Sequence, residues 1–264
     1  MAMASDIPLL LLLFSPLLAA VASLVEKLLV TRHSSAKAIS AAAFMLWLGG
    51  SAAGLIISAP AMLQGESLSY VLGGWRVPFG ISLELTGLTW IATLTDVLIA
   101  VAVWFHSRRG DVHRQEFSFF LFMALFSLQG ILYTEDLFNL FVWFEVLSLS
   151  SFLLIVQHRS REAYEAAFRY LLISTVSIIF FLFGIWILYR HTGGLSLSHI
   201  GSVIGGLEQG ERGELSLAAA CITAGILTRA AILPFHTWLP GAHAAAPYPI
   251  SALLSGFVIK APVL

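Results

Sequence analysis

Long apolar stretches separated by short polar segments dominate the pattern of hydrophobic and polar positions along this chain. A hydrocarbon core of roughly 30 Å is crossed by about 20 helical residues, so runs of this length with few charges predict transmembrane helices. The sequence therefore predicts an all-α, polytopic transmembrane helical bundle. The expected eight spans are Pro8–Val25, Ile39–Ala59, Leu88–Phe105, Phe117–Tyr133, Leu137–Val156, Ala166–Tyr189, Leu217–Ala242 and Ile250 to the last residue.

Composition supports this interpretation and excludes other classes of protein. Hydrophobic residues make up 58% of the chain, charged residues 11%, and the mean hydropathy is +0.89, far from the values of soluble domains. The net charge of −1 leaves no basic surplus for nucleic acid, so the lipid bilayer is the expected partner. The single cysteine, Cys221, can form neither an internal disulfide nor a thiolate metal site.

The distribution of lysine and arginine predicts the orientation of the spans, because cytoplasmic loops carry the excess of positive charge. Alternate loops hold nine such residues on one side and three on the other, so the N-terminus is expected outside the cytoplasm. The first span is expected to be retained, since Asp6 and no cation precede it. The nine are Lys27, Arg32, Lys37, Arg108, Arg109, Arg114, Arg159, Arg161 and Arg169, and the three are Arg76, Arg190 and Arg212.

Four ionisable residues fall near the middle of spans, where an unpaired charge costs a few kcal/mol and indicates function. They are Asp96, Glu145, Arg229 and Lys260. Similar depth on separate helices predicts a row of charges at the bilayer midplane that could exchange protons through trapped water. Two structural alternatives stay open. Glu145 and Arg229 could form a buried ion pair that only fixes packing, and Asp96 could bond neighbouring threonine hydroxyls or pair with another helix.

The seventh span contains a helix break. Pro234 lacks an N–H group and clashes with the preceding turn, so the helix is expected to kink or end near Arg229. Broken helices recur at transport sites, although a proline kink without a function is the alternative. His236, two residues later, can carry protons at neutral pH. His236 and His243 lack a third residue at suitable spacing for a metal site, so no metal or other cofactor is expected.

Two stretches of the chain carry distinctive motifs. The first, Glu135–Glu145, has the sequence Glu-Asp-Leu-Phe-Asn-Leu-Phe-Val-Trp-Phe-Glu. The second runs from Arg229 to Lys260 and contains Pro-Phe-His-Thr-Trp-Leu-Pro-Gly-Ala-His at 234–243. Both stretches resemble the proton-antiporter-like membrane subunits of respiratory complex I, Mrp-type Na⁺/H⁺ antiporters and membrane-bound hydrogenases. The Asp-Leu-Phe-Asn-Leu-Phe wording most resembles the D-type member of Mrp antiporters.

The resemblance implies a role for individual residues. Glu145 matches the glutamate that pairs with the cation of the seventh helix, Arg229 takes the place of that cation, and Lys260 matches the lysine of the central proton relay. His236 falls in the broken segment. The family usually has lysine where Arg229 stands, and a guanidinium cannot readily release its proton, so Arg229 is expected to act electrostatically rather than as a relay.

The resemblance also implies an organisation. Residues 1–105 are expected to form three N-terminal helices, and residues 106–264 the first antiporter-like repeat, truncated within the eighth helix. Family members resemble fourteen-helix proteins with two inverted repeats, so the chain is expected to be a fragment or to be completed by another polypeptide.

The leading functional hypothesis is a membrane subunit of a proton- or Na⁺/H⁺-translocating complex, in an inner membrane of a bacterial or archaeal cell. Its partners would be other membrane subunits and H⁺, with Na⁺ as the alternative ion. No catalytic centre is expected in this chain, which would at most be a subunit of an NADH-quinone oxidoreductase-like or hydrogenase-like pump. The alternatives are a non-conducting assembly subunit, a truncated fragment, and an intramembrane hydrolase or metal site at His236 and His243.

Overall fold

A computed structural model describes residues 2–29, 33–75, 80–108, 115–205 and 212–263 of the chain. The helices in that part are α1 Ala2–Leu29, α2 His33–Leu63, α3 Gly87–Ser107, α4 Gln115–Tyr133, α5 Leu137–Ile155, α6 Arg161–Thr192, α7 Leu197–Ile204, α8 Arg212–Arg229, α9 Trp238–Ala245 and α10 Tyr248–Leu253. Two short strands, β1 Leu68–Val71 and β2 Ser82–Leu85, join α2 to α3. The all-helical membrane fold class is confirmed, and the small strand pair is an addition to it.

Six helices of the described chain, α1 to α6, are long and apolar enough to cross a membrane. The expected seventh span is divided into α8 and α9. The expected eighth begins at α10 and continues through a π-helical turn, Leu254–Val258, within the shorter apolar stretch Tyr248–Val263. The count of eight spans stays a prediction, because neither of these last two segments is one long helix.

A cluster of aromatic rings packs between α2, α3 and α4. The ring of Phe44 on α2 stacks on the ring of Trp104 on α3, with centroids 4.7 Å apart and planes 7° from parallel. Phe122 on α4 contacts Trp104 and Trp47, with centroids 5.8 and 6.0 Å away. Rings at these separations pack efficiently, so this cluster holds α2, α3 and α4 together.

Close approach of α1 and α2 depends on a glycine. A Cβ atom on Gly54 would lie 2.6 Å from Cγ of Leu12 and 3.0 Å from the carbonyl oxygen of Pro8. Small residues at helix crossings allow the backbones to approach this closely. The resulting van der Waals packing favours association of the helices in lipid, where no hydrophobic driving force acts between them. The first two helices therefore form a tightly packed pair.

One end of the bundle is tied by backbone hydrogen bonds and is called the hairpin end below. Strands β1 and β2 pair antiparallel, with Leu68 opposite Leu85. The corner between α4 and α5 joins them, because the N–H of Glu135 donates to the carbonyl of Ser82 over 2.9 Å. The N–H of Leu197 donates to the carbonyl of Glu135, also over 2.9 Å, so α7 is held at the same corner.

Some of the lysine and arginine residues from which the orientation of the spans was predicted lie outside the described chain or have side chains that are not described. They are Lys27, Arg32, Lys37, Arg76, Arg109, Arg114 and Arg212. The orientation of the N-terminus therefore stays a prediction.

Candidate functional site

An ion pair joins the middle of α5 to the end of α8. A nitrogen of the Arg229 guanidinium, Nη2, lies 3.1 Å from Oε1 of Glu145. The contact between these two residues that the resemblance implied is therefore present in the structure. The two partners differ in environment, because the Arg229 side chain is 7% exposed and the Glu145 side chain 41%.

Arg229 is held by more than its carboxylate partner. Its Nη1 donates to the carbonyl oxygen of Phe144 over 3.0 Å and to the hydroxyl of Ser148 over 2.6 Å, and the guanidinium lies 4.7 Å from the centre of the Phe144 ring. The Ser148 hydroxyl is 2.9 Å from that of Ser174 on α6. The planar fork of arginine suits several acceptors at once, so the cation is fixed between α5, α6 and α8.

A small cavity of about 10 Å³ lies beside the guanidinium. It is lined by Tyr170 and Ser174 of α6, by Trp238 of α9 and by Val258 and Pro262 near the end of the chain. A volume of this size is close to the minimum for one water molecule. The cavity therefore has room for about one water molecule beside Arg229.

The break in the seventh span begins directly after Arg229. The N–H of Ile232 donates to the carbonyl of Leu227 over 3.0 Å, and the N–H of Ala231 donates to that of Thr228 over 3.2 Å. This pair of bonds closes a helix in the manner of a Schellman motif. Ala231 has φ of +52°, the left-handed position at which glycine is preferred.

Pro234 lies inside the break rather than at its start. Helix α8 ends at Arg229, and after the turn a 3₁₀ segment, Phe235–Thr237, leads into α9. The indole N–H of Trp238 donates to the carbonyl of Thr228 over 3.0 Å. The carbonyls of Leu227 and Thr228 near the end of α8 are thus satisfied by the chain itself, as the end of a helix in a membrane requires.

The two histidines of this region have different surroundings. His236 lies in the 3₁₀ segment, and its buried Nδ1 has no hydrogen-bond partner within the described residues. Nδ1 of His243 is 2.7 Å from the hydroxyl of Ser251. His243 also lines a cavity of about 740 Å³ together with His106, His158 and Glu162. No group of three or more His, Cys, Asp or Glu residues in the described chain is placed to hold a metal ion.

The remaining two midspan charges do not join the Glu145–Arg229 pair. Lys260 follows the π-helical turn, is exposed, and makes no ion pair with a described residue. Asp96 on α3 is fully buried, and its Oδ2 accepts from Nε2 of Gln129 on α4 over 2.8 Å. The structure therefore brings together two of the four charges, and the row across the membrane stays a prediction.

The sequence analysis missed several neutral partners at these sites. Ser148 and Tyr170 border the ion pair, and Gln129 and Tyr133 surround Asp96. Gln129 was detectable, because an amide in the middle of an apolar span needs a partner. The serines gave a weaker signal, since a serine in a membrane helix can bond to its own backbone.

Comparison with known sequences finds the same relationship that the motifs indicated. Residues 134–264 match the family described as "NADH:quinone oxidoreductase/Mrp antiporter, TM". The D-type subunit of the Na(+)/H(+) antiporter of Bacillus subtilis (strain 168) is 31% identical over 192 residues, which are 72% of this chain and 38% of that protein. The N-type subunit of the NADH-quinone oxidoreductase of Desulforudis audaxviator (strain MP104C) is 31% identical over 214 residues, 79% of this chain and 42% of that protein.

Comparison with solved structures gives the same fold. A chain of the membrane-bound sulfane sulfur reductase, an archaeal respiratory membrane complex, superimposes with a TM-score of 0.82 at 23% identity, over 100% of this chain and 52% of that one. A chain of the Mrp complex from Dietzia sp. DQ12-45-1b gives 0.81 at 20% identity, over 100% and 48%. The chain thus spans about half the length of these two chains. Sequence and fold together show that this chain belongs to the proton-antiporter-like membrane subunit family.

Proposed function

We propose that this chain is a membrane subunit that moves protons, or exchanges Na⁺ for H⁺, as part of a larger complex. The observation that carries the proposal is the Glu145–Arg229 ion pair, in which a buried cation holds a half-exposed carboxylate at the middle of a membrane helix. Ionisable groups at this depth are costly and mark ion pathways. The relatives' names, which describe antiporter and quinone oxidoreductase subunits, agree with this function.

The two partners would have different roles. The Arg229 guanidinium keeps its proton at any working pH and supplies a fixed positive charge. Glu145 would bind and release the proton, since its side chain is accessible from one side while the other side faces the cation. Protonation of Glu145 would weaken its attraction to Arg229, so proton binding and the geometry of the pair are coupled.

Lys260, His236 and Asp96 would extend this path. Lys260 lies close in sequence to Val258 and Pro262, which line the small cavity beside Arg229, and it would exchange protons with that region through water. His236, in the broken segment, would pass protons towards the pair. The accessible sides of Glu145 and Lys260 would face other membrane subunits rather than lipid, because charge is disfavoured in hydrocarbon.

The location and orientation of the chain follow as parts of the same proposal. The complex would lie in a bacterial or archaeal inner membrane, with the N-terminus and the hairpin end outside the cytoplasm. The translocated ion would be H⁺, with Na⁺ as the counter-ion in an antiporter.

A structural function is the second candidate. The guanidinium has three acceptors and an aromatic face, which is what a purely packing ion pair would also have. A scaffold subunit would therefore retain Arg229 but would not depend on the exchangeable proton of Glu145.

Ion flux separates the two candidates. The native complex, reconstituted in sealed vesicles, is compared as wild type, Glu145→Gln and Lys260→Ala at matched assembly levels. Glu165→Gln, an exposed carboxylate on α6, is the control. Flux that is lost in either midspan variant and retained in the control supports transport. Flux that is unchanged in both midspan variants would make the chain a scaffold.

A further inference from the structure

Polar side chains of α3 and α4, together with the backbone carbonyl of Thr89, form a series of hydrogen bonds from the hairpin end to Asp96, which we call the polar ladder. The hydroxyls of Thr86 and Thr89 are 3.3 Å apart, and the Thr93 hydroxyl donates to the carbonyl of Thr89 over 2.7 Å. The hydroxyls of Thr93 and Tyr133 are 2.7 Å apart. The Tyr133 hydroxyl donates to Oε1 of Gln129 over 2.5 Å, and Nε2 of Gln129 donates to Asp96 over 2.8 Å.

The side chains of the ladder are less exposed inside the bundle than at the hairpin end. Thr86 and Thr89, at the start of α3, are partly buried, whereas Thr93, Gln129 and Tyr133 are buried and Asp96 is fully so. Asp96 lies ten positions after Thr86, the N-cap of α3, which corresponds to a rise of about 15 Å, or roughly half of a hydrocarbon core. The ladder therefore connects one end of the bundle with its middle and stops there.

Asp96 has no described cation to balance it. Its second oxygen, Oδ1, is buried and has no hydrogen-bond partner within the described chain. From α4 the facing titratable group is Tyr133; α2 carries no charged residue between Ile39 and Leu63, and the π-helical turn Leu254–Val258 carries none either. An unpartnered carboxyl oxygen in such a place is suited to hold a proton.

We propose that Asp96 is a proton-binding site that exchanges with the hairpin end of the bundle through the polar ladder, with Gln129 as its gate. The proposal rests on the proposed function, to which it adds a branch that is separate from the Glu145–Arg229 pair. Water at the hairpin end gives up one proton, one proton is added to the Asp96 carboxylate, and one proton returns to water when the site empties. Each hydroxyl that takes part accepts one proton and releases one. The carbonyl of Thr89 carries no proton to pass on, so one water molecule links the hydroxyls of Thr89 and Thr93 during exchange.

Gln129 is the gate because of its chemistry. Its amide donates to Asp96 on one side, and its oxygen accepts from the Tyr133 hydroxyl on the other over 2.5 Å, with the Thr93 oxygen 3.2 Å away. An amide in this position separates the hydroxyls from the carboxyl, and it keeps the ladder closed. Rotation of the amide would let the Tyr133 hydroxyl or a water molecule reach Asp96, and exchange would then be possible.

Infrared spectroscopy of the native complex in sealed vesicles tests the proposal. The band measured is the C=O stretch of a buried carboxylic acid, and its shift after a jump into D₂O applied to one side gives the exchange rate. The variants are Asp96→Asn, Thr93→Val and Gln129→Ala. The matched control is Thr95→Val on the same helix, whose exposed hydroxyl donates to the carbonyl of Ile91 and lies outside the ladder.

We expect Asp96→Asn to remove the band. Thr93→Val should slow its exchange about tenfold, as expected when the loss of one hydrogen-bonded link adds about 1.4 kcal/mol to the barrier. Gln129→Ala, which leaves room for water between Tyr133 and Asp96, should accelerate the exchange, Thr95→Val should leave it unchanged, and exchange should be faster from the hairpin side. A spectrum in which Asp96→Asn removes no band, equal rates in Thr93→Val and Thr95→Val, or equal exchange from both sides would overturn the proposal.

The same preparations keep the two proposals distinguishable. Flux that survives both Glu145→Gln and Lys260→Ala contradicts the proposed function without altering the Asp96 band or its dependence on Thr93. A missing Asp96 band together with flux that depends on Glu145 contradicts the ladder and leaves the proposed function standing.

Discussion

The chain places two acids in the middle of membrane helices and treats them in opposite ways. Glu145 is half exposed and paired with a cation, whereas Asp96 is fully buried and bonded to a neutral amide. In the first arrangement a buried arginine stabilises the charged form of the carboxylate. In the second, the neighbouring groups are neutral and can bond to the carboxyl whether or not it is charged. Depth in the membrane alone therefore does not define the role of an acid, because the partner does.

The backbone differs between the two sites as well. Asp96, Gln129 and their partners lie on the uninterrupted helices α3 and α4. Arg229 is the last residue of α8, directly before a turn with a left-handed alanine. The ion pair thus lies at a helix end, whereas the ladder lies between two continuous helices.

The largest effect is expected from Arg229→Ala. This variant removes one donor from the Phe144 carbonyl and one from Ser148, and it leaves Glu145 without its cation, so it should lower the free energy of unfolding by about 3–5 kcal/mol. Thermal unfolding in detergent measures the loss. Arg190→Ala, which removes a half-exposed pair with Glu214, should cost no more than about 1 kcal/mol. Equal losses in the two variants would mean that Arg229 contributes no more than a surface cation.

Replacing each of the two acids by its amide should destabilise the protein to different extents at the two sites. Glu145→Gln leaves a buried guanidinium without its countercharge, but the carboxylate is partly exposed, so a loss of about 1–2 kcal/mol is expected. Asp96→Asn keeps an oxygen that accepts from Gln129, and its cost should stay below about 1 kcal/mol. The measurement is the unfolding midpoint of each variant at neutral pH. A larger loss in Asp96→Asn than in Glu145→Gln would reverse the comparison.

Ala231→Gly tests the strain at the broken helix. Glycine adopts the left-handed conformation without steric cost, so this variant should stabilise the protein by roughly 0.5–1 kcal/mol. Ala220→Gly, on an exposed position inside α8, should destabilise it by a similar amount. The two unfolding midpoints should therefore move in opposite directions. Parallel shifts would show that the turn after Arg229 does not restrain Ala231.

The smallest effect concerns two acids outside the spans. Burial and the nearby Glu84 carboxylate raise the pKa of Glu135, so the folded chain takes up a proton there before the unfolded chain does as the pH falls. Glu135 therefore weakens the fold above its folded pKa, and that penalty disappears as the pH falls to the unfolded pKa. Glu135→Gln should raise the unfolding midpoint at neutral pH and leave it unchanged in acid.

Glu214 provides the opposite sign. Its hydrogen bond with His191 and the charge of Arg190 lower the pKa of Glu214, so its stabilising contribution is present above the unfolded pKa and is lost as the pH falls through the folded one. Glu214→Gln should therefore lower the midpoint at neutral pH. Shifts of the same sign in both variants would contradict these assignments.

The sequence predicted the membrane fold and the ion pair because both depend on strong local signals. Apolar runs of span length define helices without knowledge of their neighbours, and the motifs around Glu145 and Arg229 identify two residues that the structure places in contact. The break in the seventh span was also expected from Pro234. The functional roles of these residues stay predictions.

Other features depend on contacts that no local pattern encodes. Asp96 finds Gln129 on the next helix, 33 positions away, and helix periodicity does not specify that pairing. The end of α8 at Arg229 is set by backbone bonds of Ala231 and Ile232, several residues before the proline. The four-residue strands of the hairpin end are too short to stand out in a loop rich in glycine.

The position of Arg229 in the last turn of α8 has a consequence for timing. A cation there lies at the negative end of the helix dipole, a partner that neither protonation nor movement of Glu145 removes. A partly exposed carboxylate can change rotamer in picoseconds to nanoseconds, whereas a packed helix end moves in microseconds or longer. The Glu145 side chain is therefore expected to reorient faster than the helix end that carries Arg229. A step that required Arg229 to move would be limited by the rate at which the turn after Arg229 changes conformation.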